Sequence, residues 1–433
     1  MSKVAFITLG CKVNQYETNA MSQEFIEKGY EVVEHNEKAD IYVINTCTVT
    51  NMSDRKSRQM LRRVKELNPN SIVIACGCYV QVAKDEVAKI EDIDLILGNN
   101  EKKNIVEHLE QYQKDKKRQL EIEDLMQQRE FIEFGDVTYT EKTRAVVKIQ
   151  DGCDRFCSYC IIPYARGRVR SRKPEGIISE ITKIAQEGIK EVVITGIHVA
   201  SYGKDFKENY GLIDLLEDLN KIEGIERIRL SSIEPLILDE QFINRLSKLE
   251  KICHNFHLSL QSGCDETLKR MNRRYNTEQF KTVVNLIRNT YKDAILTADV
   301  IVGFPGETEE EFEKTYKFLE DVKFYKTHVF KYSPRKGTKA AVMENQIDGN
   351  IKEQRSKKLI ELSNNFEKEY NESYIGKTVE VLWEEEKEGS YKGHTQNYLL
   401  AYYKPEKGDM NLENKITKAN CISAESDHII VEI

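Results

Sequence analysis

The stretch Gly152-Cys153-Asp154-Arg155-Phe156-Cys157-Ser158-Tyr159-Cys160 carries the strongest signal in this chain. Its three cysteines are spaced CxxxCxxC, and they follow directly on an apolar segment that is typical of a strand, Val146–Gln150. Thiolates are soft ligands that suit iron–sulfur clusters and zinc. A structural zinc site usually has four protein ligands, whereas three thiolates on a four-iron cluster leave one iron open. The spacing favours such a cluster, and a zinc site completed by a distant Cys or His is the alternative.

The segments around this loop predict a partial β/α barrel, shorter than the closed eight-unit form. Helical segments separate the candidate strands, and the cysteine loop follows the first of them, where barrel enzymes place their chemistry. The candidate strands are Val146–Gln150, Glu191–Gly196, Arg227–Ser232, Asn255–Leu260, Ile295–Gly303 and Tyr325–Tyr332.

The residues before this barrel alternate apolar strands with helices such as Asn14–Lys28 and Met52–Leu67. Continuous apolar strands in such an alternation predict a parallel sheet covered on both faces. The candidate strands are Val4–Leu9, Ile41–Thr46, Ser71–Cys76 and Asp94–Gly98. A charged run from Glu101 to Arg129 has no strand signal, and it predicts a solvated helix and a connector.

Three of the N-terminal strands are each followed by a cysteine, namely Cys11, Cys47 and Cys78. The carboxyl ends of parallel strands share one edge of a sheet, which is where such sheets bind ligands. We therefore expect the three side chains to converge and to be able to hold a second cluster. Three unrelated buried cysteines are the alternative.

After about Tyr370 the pattern changes to short alternating strands, including Thr378–Trp383, Tyr398–Tyr403 and His428–Ile433. Gly389, Gly393 and Gly408 separate them, which is typical of a small all-β barrel. The predicted fold class is therefore α/β. An N-terminal parallel α/β domain (1–125) precedes a central partial (β/α)6 barrel (139–369) and a C-terminal all-β barrel (370–433).

Composition and charge indicate the class of protein and its compartment. The chain has 433 residues, of which 40% are hydrophobic and 32% are charged, with a net charge of −7. No stretch is long enough for a membrane helix and no signal peptide is evident, so we expect a cytoplasmic protein. Ten cysteines without an export signal favour metal ligation or redox chemistry over disulfides. A negative chain must contact nucleic acid through local basic patches.

The cysteine loop and its barrel resemble the radical S-adenosylmethionine superfamily. The resemblance implies a [4Fe-4S] cluster held by Cys153, Cys157 and Cys160, whose open iron chelates S-adenosylmethionine. Cleavage of that cofactor would yield a 5′-deoxyadenosyl radical able to abstract hydrogen from an unactivated C–H bond.

With Cys11, Cys47 and Cys78 added, the whole chain resembles the methylthiotransferase family, whose C-terminal barrel is called TRAM. The resemblance implies a second [4Fe-4S] cluster on these three cysteines that supplies or carries the sulfur. Cys76 is interpreted as a small buried residue, and Cys253, Cys264 and Cys421 as structural.

Short motifs point to one branch of the family. The segment Cys160–Arg168 (CIIPYARGR) resembles the members that modify tRNA, and Thr195–His198, Ser201–Gly203 and Leu230–Pro235 resemble the branch acting on N6-threonylcarbamoyladenosine. The implied reaction inserts a methylthio group at carbon 2 of that adenine at tRNA position 37. Partners would be the anticodon stem-loop and a low-potential electron donor such as flavodoxin or ferredoxin.

Other residues are candidates for binding. Gly303 and Gly306 end the fifth barrel strand and Gln261 ends the fourth, where the resemblance implies walls of the S-adenosylmethionine site; an ordinary strand-to-helix turn is the alternative. No catalytic side chain is predicted. Two basic segments are candidates for phosphate contacts, since alternate arginines could line one face. They are the run Arg166, Arg168, Arg170, Arg172 and Lys173, and the helix Met52–Leu67 with Arg55, Lys56, Arg58, Arg62, Arg63 and Lys65.

The C-terminal segment fits tRNA binding poorly, because it carries seven lysines against twelve acidic residues and an acidic run, Glu384-Glu385-Glu386. Its aromatic residues could nevertheless stack on bases. They are Trp383, Tyr391, Tyr398, Tyr402 and Tyr403.

Three alternatives to this function remain open. Two share its chemistry and act on isopentenyladenosine of tRNA or on an aspartate of a ribosomal protein. The third is a non-enzymatic iron–sulfur or zinc RNA-binding protein.

Overall fold

The computed structural model describes residues 1–135, 137, 143–405 and 411–433. The N-terminal layer is a six-stranded, wholly parallel sheet in the order β2-β1-β3-β4-β5-β6. The strand β3 (IYVINT) is buried at every position, because helices cover both faces of the sheet. The strands are β1 Lys3–Thr8, β2 Glu31–Val33, β3 Ile41–Thr46, β4 Ile72–Gly77, β5 Leu95–Leu97 and β6 Gln119–Glu121. The helices are α1 Lys12–Glu27, α2 Asn51–Leu67, α3 Cys78–Val82, α4 Lys84–Val87 and α5 Ile105–Asp115.

The prediction for the charged run Glu101–Arg129 was wrong in one respect. It contains a 3₁₀ turn (Glu101–Asn104) and α5, as expected of a helical segment, but also β6, which pairs in parallel with β5. β6 has three residues and lies at the edge of the sheet with two of them exposed. Such a strand needs no apolar alternation, so the sequence shows no signal for it.

The central domain contains the six predicted strands, β7, β9, β10, β11, β12 and β13. They form two sheets, ordered β10-β9-β7-β8 and β11-β12-β13, and single parallel bridges (Ile228 to Ile252, Ile233 to Leu258) join the two. The strands are β7 Arg144–Asp151, β8 Arg170–Ser171, β9 Glu191–Gly196, β10 Arg227–Leu230, β11 Asn255–Gln261, β12 Ile295–Val302 and β13 Lys326–Lys331. The helices are α6 Ile162–Arg166, α7 Pro174–Gln186, α8 Leu212–Leu219, α9 Glu240–Leu246, α10 Asp265–Arg270, α11 Thr277–Thr290, α12 Glu309–Val322 and α13 Gly349–Glu372.

The C-terminal segment closes into the barrel β14-β15-β16-β18-β17. Its strands are β14 Thr378–Lys387, β15 Ser390–Thr395, β16 Leu400–Tyr403, β17 Ile416–Ala424 and β18 Ile429–Glu432. Strands β15 and β17 were not among the predicted strands. The expectation that all five aromatic residues could stack on bases was wrong, because Trp383 and Tyr391 lie in the barrel core. The predicted turn residue Gly408 lies outside the described residues.

This small barrel covers the amino ends of the central strands. Arg227, the first residue of β10, donates to the carbonyl oxygens of His394 (2.9 Å) and Glu380 (3.0 Å). Arg144, the first residue of β7, pairs with Glu384 (2.7 Å). Glu384 therefore forms an ion pair between the C-terminal barrel and the central domain. The acidic run consequently has less unpaired negative charge to repel phosphate than the sequence suggested.

The predicted fold class is confirmed, with a parallel α/β layer, a partial barrel and a closed β-barrel. The domain boundaries remain predictions. Residue 139 lies outside the described residues, and α13 extends across the boundary at 369/370, with Tyr370 and Tyr374 packed on the C-terminal core. Among the described residues, no helix is both long and apolar enough to cross a membrane.

Candidate functional site

The CxxxCxxC loop leaves the carboxyl end of β7 and is fixed by backbone hydrogen bonds. The Cys153 amide donates to the Gly167 carbonyl (3.0 Å) and the Cys160 amide to the Cys157 carbonyl (2.9 Å). Burial raises the pKa of Cys153 to about 11 and that of Cys160 to about 12, and the nearby Cys157 adds to both shifts. The thiols of Cys153 and Cys160 therefore lie close to Cys157, and both would ionise only beside a positive partner such as a metal.

Charged residues that sequence reasoning missed hold this loop. Arg273 donates to the Cys157 sulfur (3.3 Å), and Glu234 accepts from His198 (3.0 Å) and pairs with Arg155 of the loop. Burial opposes ionisation of Glu234, but the His198 hydrogen bond and the charges of Arg273 and Arg155 lower its pKa to about 2. No motif marks Arg273, because it follows α10, far from the cysteines in sequence.

The second set of cysteines converges at the carboxyl edge of the N-terminal sheet. Cys11 follows β1, Cys47 follows β3 and Cys78 begins α3 after β4, and these three strands are neighbours. Gly10 has a φ of +103°, and a Cβ atom there would lie 2.7 Å from the Cys47 sulfur. The Asn14 amide ties the two loops together by donating to the Leu9 (2.7 Å) and Thr46 (3.0 Å) carbonyls. Cys76, by contrast, is fully buried in the hydrophobic core beneath this edge.

Arg166 connects the two cysteine sets. It ends α6, just after the CxxxCxxC loop, yet its Nε donates to the Cys78 sulfur (3.1 Å) and its Nη2 to the Asn14 side chain (2.5 Å). It also pairs with Glu17, a buried carboxylate that Lys102 (2.5 Å) and Lys148 (2.7 Å) contact as well. The central domain, which carries the CxxxCxxC loop, and the N-terminal sheet therefore share one buried ionic network.

This position corrects the prediction of a phosphate-binding run. Arg166, Arg170 and Arg172 are all buried, and each pairs with a carboxylate. Their partners are Glu17, Asp151 and Glu180, respectively. In the run, only Arg168, which is half-buried, and Lys173 still reach the surface.

The donor set of both cysteine groups is three thiols. Thiolates are the usual ligands of a [4Fe-4S] cluster, so the chemistry of the donors fits such a cluster. No group of three His, Cys, Asp or Glu side chains within the described ranges is placed to hold one metal ion. Around Cys78 the buried charges are Lys102, Lys148, Arg166 and Arg170 against Glu17 and Asp151, an excess of cations that anionic thiolates would balance.

The predicted cofactor-binding residues lie beyond the carboxyl ends of β11 and β12. Gln261 has a φ of +68° at an irregularity of β11, and Gly303 has a φ of +70° just after β12. A Cβ atom on Gly303 would lie 2.3 Å from the Lys352 side chain, and its amide donates to Glu307 (2.6 Å). Helix packing alone thus accounts for Gly303, and its role in binding remains a prediction, as do those of Gln261 and Gly306.

A cavity of about 510 Å³ opens between the three layers of the protein. Its wall combines the inner faces of β10 to β13, the C-terminal barrel and Lys12, the residue after Cys11. Lys12 lines this cavity, where partial desolvation by the surrounding layers and the charges of Arg144 and Arg229 lower its pKa. The cavity therefore has a positive corner beside the second cysteine set.

Helix α2 presents the other predicted basic patch. Arg55, Arg58, Arg62 and Arg63 line a shallow depression on its outer side with Gln59 and Glu66. Arg55, Arg62 and Arg63 are exposed, whereas Arg58 contacts Tyr79 (3.1 Å). This patch, unlike the Arg166 run, is available to phosphate.

Comparisons with known proteins match both cysteine regions. The Radical SAM superfamily matches residues 147–319, and Uncharacterized protein family UPF0004 matches residues 3–98. The threonylcarbamoyladenosine tRNA methylthiotransferase MtaB of Bacillus subtilis (strain 168) is 42% identical over 98% of this chain and 94% of its own length. That of Aquifex aeolicus (strain VF5) is 43% identical over 92% and 95%.

A related activity and the known structures are more distant. The tRNA-2-methylthio-N(6)-dimethylallyladenosine synthase of Clostridium botulinum (strain Hall) is 36% identical over 98% of this chain and 96% of its own length. The radical S-adenosylmethionine methyltransferase TsrM of Kitasatospora setae superposes with a TM-score of 0.57 at 15% identity, covering 79% of this chain and 77% of that one. That structural likeness concerns the fold alone.

Proposed function

The chain belongs to the methylthiotransferase family of radical S-adenosylmethionine enzymes, and from this premise we propose that it modifies tRNA. The reaction converts N6-threonylcarbamoyladenosine at position 37 to its 2-methylthio derivative. The observation that carries the proposal is the joining of two cysteine sets, one on the barrel and one on the sheet, through Arg166. Relatives more than 40% identical over nearly the whole chain bear the name of this activity.

The barrel site serves radical generation. When bound, a [4Fe-4S] cluster with S-adenosylmethionine supplies radical chemistry for an aromatic C–H bond that a general base could not activate. Cys153, Cys157 and Cys160 hold the cluster, and Arg273 orients Cys157 through its hydrogen bond. Glu234 fixes the loop through Arg155. Gln261, Gly303 and Gly306 form the wall against the cofactor.

Cys11, Cys47 and Cys78 would hold a second [4Fe-4S] cluster at the N-terminal site, and this cluster would supply the sulfur chemistry. The convergence of three sheet loops supports this assignment. So does the excess of buried cations beside Cys78, because unpaired buried charge is costly and a thiolate-bound cluster is anionic.

The tRNA approaches across the N-terminal layer. The α2 arginines meet backbone phosphates, which position the anticodon stem-loop without reading its sequence. The second partner would be a low-potential electron donor of the flavodoxin or ferredoxin type, which would supply electrons to the barrel site. With tRNA as substrate, we expect the reaction to take place in the cytoplasm.

Substrate choice is tested with purified, anaerobically reconstituted enzyme and matched anticodon stem-loops. These carry threonylcarbamoyladenosine, isopentenyladenosine or plain adenosine at position 37, and nucleoside mass spectrometry detects the product. The proposal expects product from the first alone. Product from isopentenyladenosine alone would overturn the substrate and keep the chemistry, and product from none would direct attention to a ribosomal-protein aspartate.

A further inference from the structure

The cavity beside Lys12 contains hydrogen-bond donors with no partner in the protein. The Asn255 side chain is 94% buried, yet its Nδ2 has no acceptor among the described residues, and neither does the buried hydroxyl of Ser231. Both residues line the cavity. Buried polar groups nearly always have a hydrogen-bond partner. Two buried donors without one therefore indicate that an acceptor is missing.

The charges at the same corner point to an anionic acceptor. Arg229 donates to both oxygens of Glu191 (2.8 and 3.0 Å), and Arg144 pairs with Glu191 (2.6 Å) and with Glu384 (2.7 Å). With Lys12, three cations therefore share two carboxylates. Lys12 interacts with Arg144, Arg229 and Glu191 electrostatically, but it has no ion pair with any described carboxylate.

The acids of the cavity wall are already engaged. Asp299 pairs with His257 (3.2 Å), Glu367 with Lys326 (2.8 Å) and Asp427 with His428 (2.9 Å). None of these three carboxylates forms an ion pair with Lys12. Among the described residues of the wall, Lys12 is thus a cation without a carboxylate partner, and Asn255 and Ser231 carry buried polar atoms without a hydrogen bond.

We propose that Lys12, Asn255 and Ser231 bind the carboxylate of the N6-threonylcarbamoyl group. The inference rests on the proposed function and assigns its specificity site. A cavity of about 510 Å³ suits a base with such a substituent. Because Lys12 follows Cys11, the carboxylate is anchored beside the sulfur-handling cysteines. An isopentenyl group leaves the three donors unpaired, and sites built to pair polar groups reject such analogues strongly.

The first test uses the holoenzyme without any substitution. Its affinity for a stem-loop bearing the threonylcarbamoyl acid is compared with that for the methyl ester, which keeps the shape and removes the charge. Loss of a charge-assisted contact predicts roughly 10- to 100-fold weaker binding of the ester. Equal binding would overturn the inference even if the acid is converted to product, whereas failure to convert the acid would count against the proposed function.

The second test uses Lys12→Met and Asn255→Asp, with Lys357→Met as the control because Lys357 is exposed on α13, outside the cavity wall. The first two variants should lose most of the preference for acid over ester, and the control should retain it. Iron content and S-adenosylmethionine cleavage report on the clusters separately. If Lys12→Met weakened acid, ester and plain adenosine stem-loops equally, Lys12 would serve a backbone phosphate and the inference would be wrong.

Discussion

At the residue scale, Arg166 shows how a charge can be misjudged from sequence. Its neighbours Arg168, Arg170 and Arg172 suggested a solvent-facing run. The side chain instead has no exposed surface, and it crosses between domains to reach Glu17 and Cys78. Alternation in a loop does not fix which side faces solvent, and the partners lie about 90 to 150 residues away in the chain.

Replacing Arg166 by Gln should destabilise the protein strongly. The change breaks the buried ion pair with Glu17 and the hydrogen bonds to Asn14 and Cys78, and breaking a buried pair costs on the order of 3 kcal/mol. Urea unfolding of metal-free protein, followed by circular dichroism, measures the loss. Arg168→Gln is the control, because its partner Asp154 is exposed and the expected change is below about 0.5 kcal/mol. Equal stability of the two variants would contradict a structural role for the network.

Glu234 should make the protein sensitive to acid. Its pKa is about 2 in the folded chain and roughly 4.3 when unfolded. The charged form therefore stabilises the fold above about pH 4, and this contribution disappears as the pH falls towards 2. In Glu234→Gln the contribution is absent at every pH. The difference in unfolding free energy between wild type and variant should shrink between pH 5 and 2.5, and parallel curves would contradict the ionic role of Glu234.

At the scale of elements, the apolar strands were predictable and the shortest strands at the sheet edges were not. The sequence predicted β3 and β9 with their observed limits, since buried parallel strands are nearly continuous apolar runs. The strands β2, β6 and β8 have two or three residues each, and none carries an alternating pattern long enough to detect. The cysteines could be grouped by strand order alone, whereas Arg273, Glu17 and Lys12 acquire meaning only through tertiary contacts.

Helix α2 is the element on which tRNA affinity should depend. Charge reversal of Arg62 and Arg63 removes two exposed cations from its outer depression. Stem-loop affinity should fall, and the slope of log K against log salt should become shallower by roughly 1.4 to 1.8 if each arginine meets one phosphate. Fluorescence anisotropy from 50 to 300 mM salt, about the range of such titrations, measures both. Reversal of the exposed Lys317 and Lys357 is the control, and an identical loss there would show general charge repulsion instead.

At the scale of the whole molecule, residues of all three layers line the cavity of about 510 Å³. The sheet contributes Lys12, the partial barrel its inner strands, and the C-terminal barrel His394 and Tyr398. Tyr398 stacks on His394 (4.4 Å between ring centres) and lies under the Arg229 guanidinium. The small barrel thus serves as the floor of the cavity, a role that its negative charge does not impede.

The two cysteine sets should be separable in function although one network joins them. About eight iron atoms per chain are expected after reconstitution, and Cys11, Cys47 and Cys78 replaced together by Ala should leave about four. That variant should still cleave S-adenosylmethionine reductively, because the CxxxCxxC loop is held by Gly167, Arg273 and Glu234, none of which has a hydrogen bond to an N-terminal cysteine. It should form no methylthio product.

The reciprocal variant, with Cys153, Cys157 and Cys160 replaced by Ala, should keep the N-terminal cluster and lose cleavage. Cys253→Ala and Cys421→Ala serve as controls, since both residues are buried and belong to neither cysteine set. Neither substitution should change the iron content. Methylthio product from the N-terminal triple variant would refute a sulfur role for that site. Continued cleavage by the loop variant would refute the radical site. Arg166 lies at the end of α6, just after the CxxxCxxC loop, and its side chain donates to Cys78. A partial loss of cleavage in the N-terminal variant would therefore measure how strongly the loop depends on this hydrogen bond.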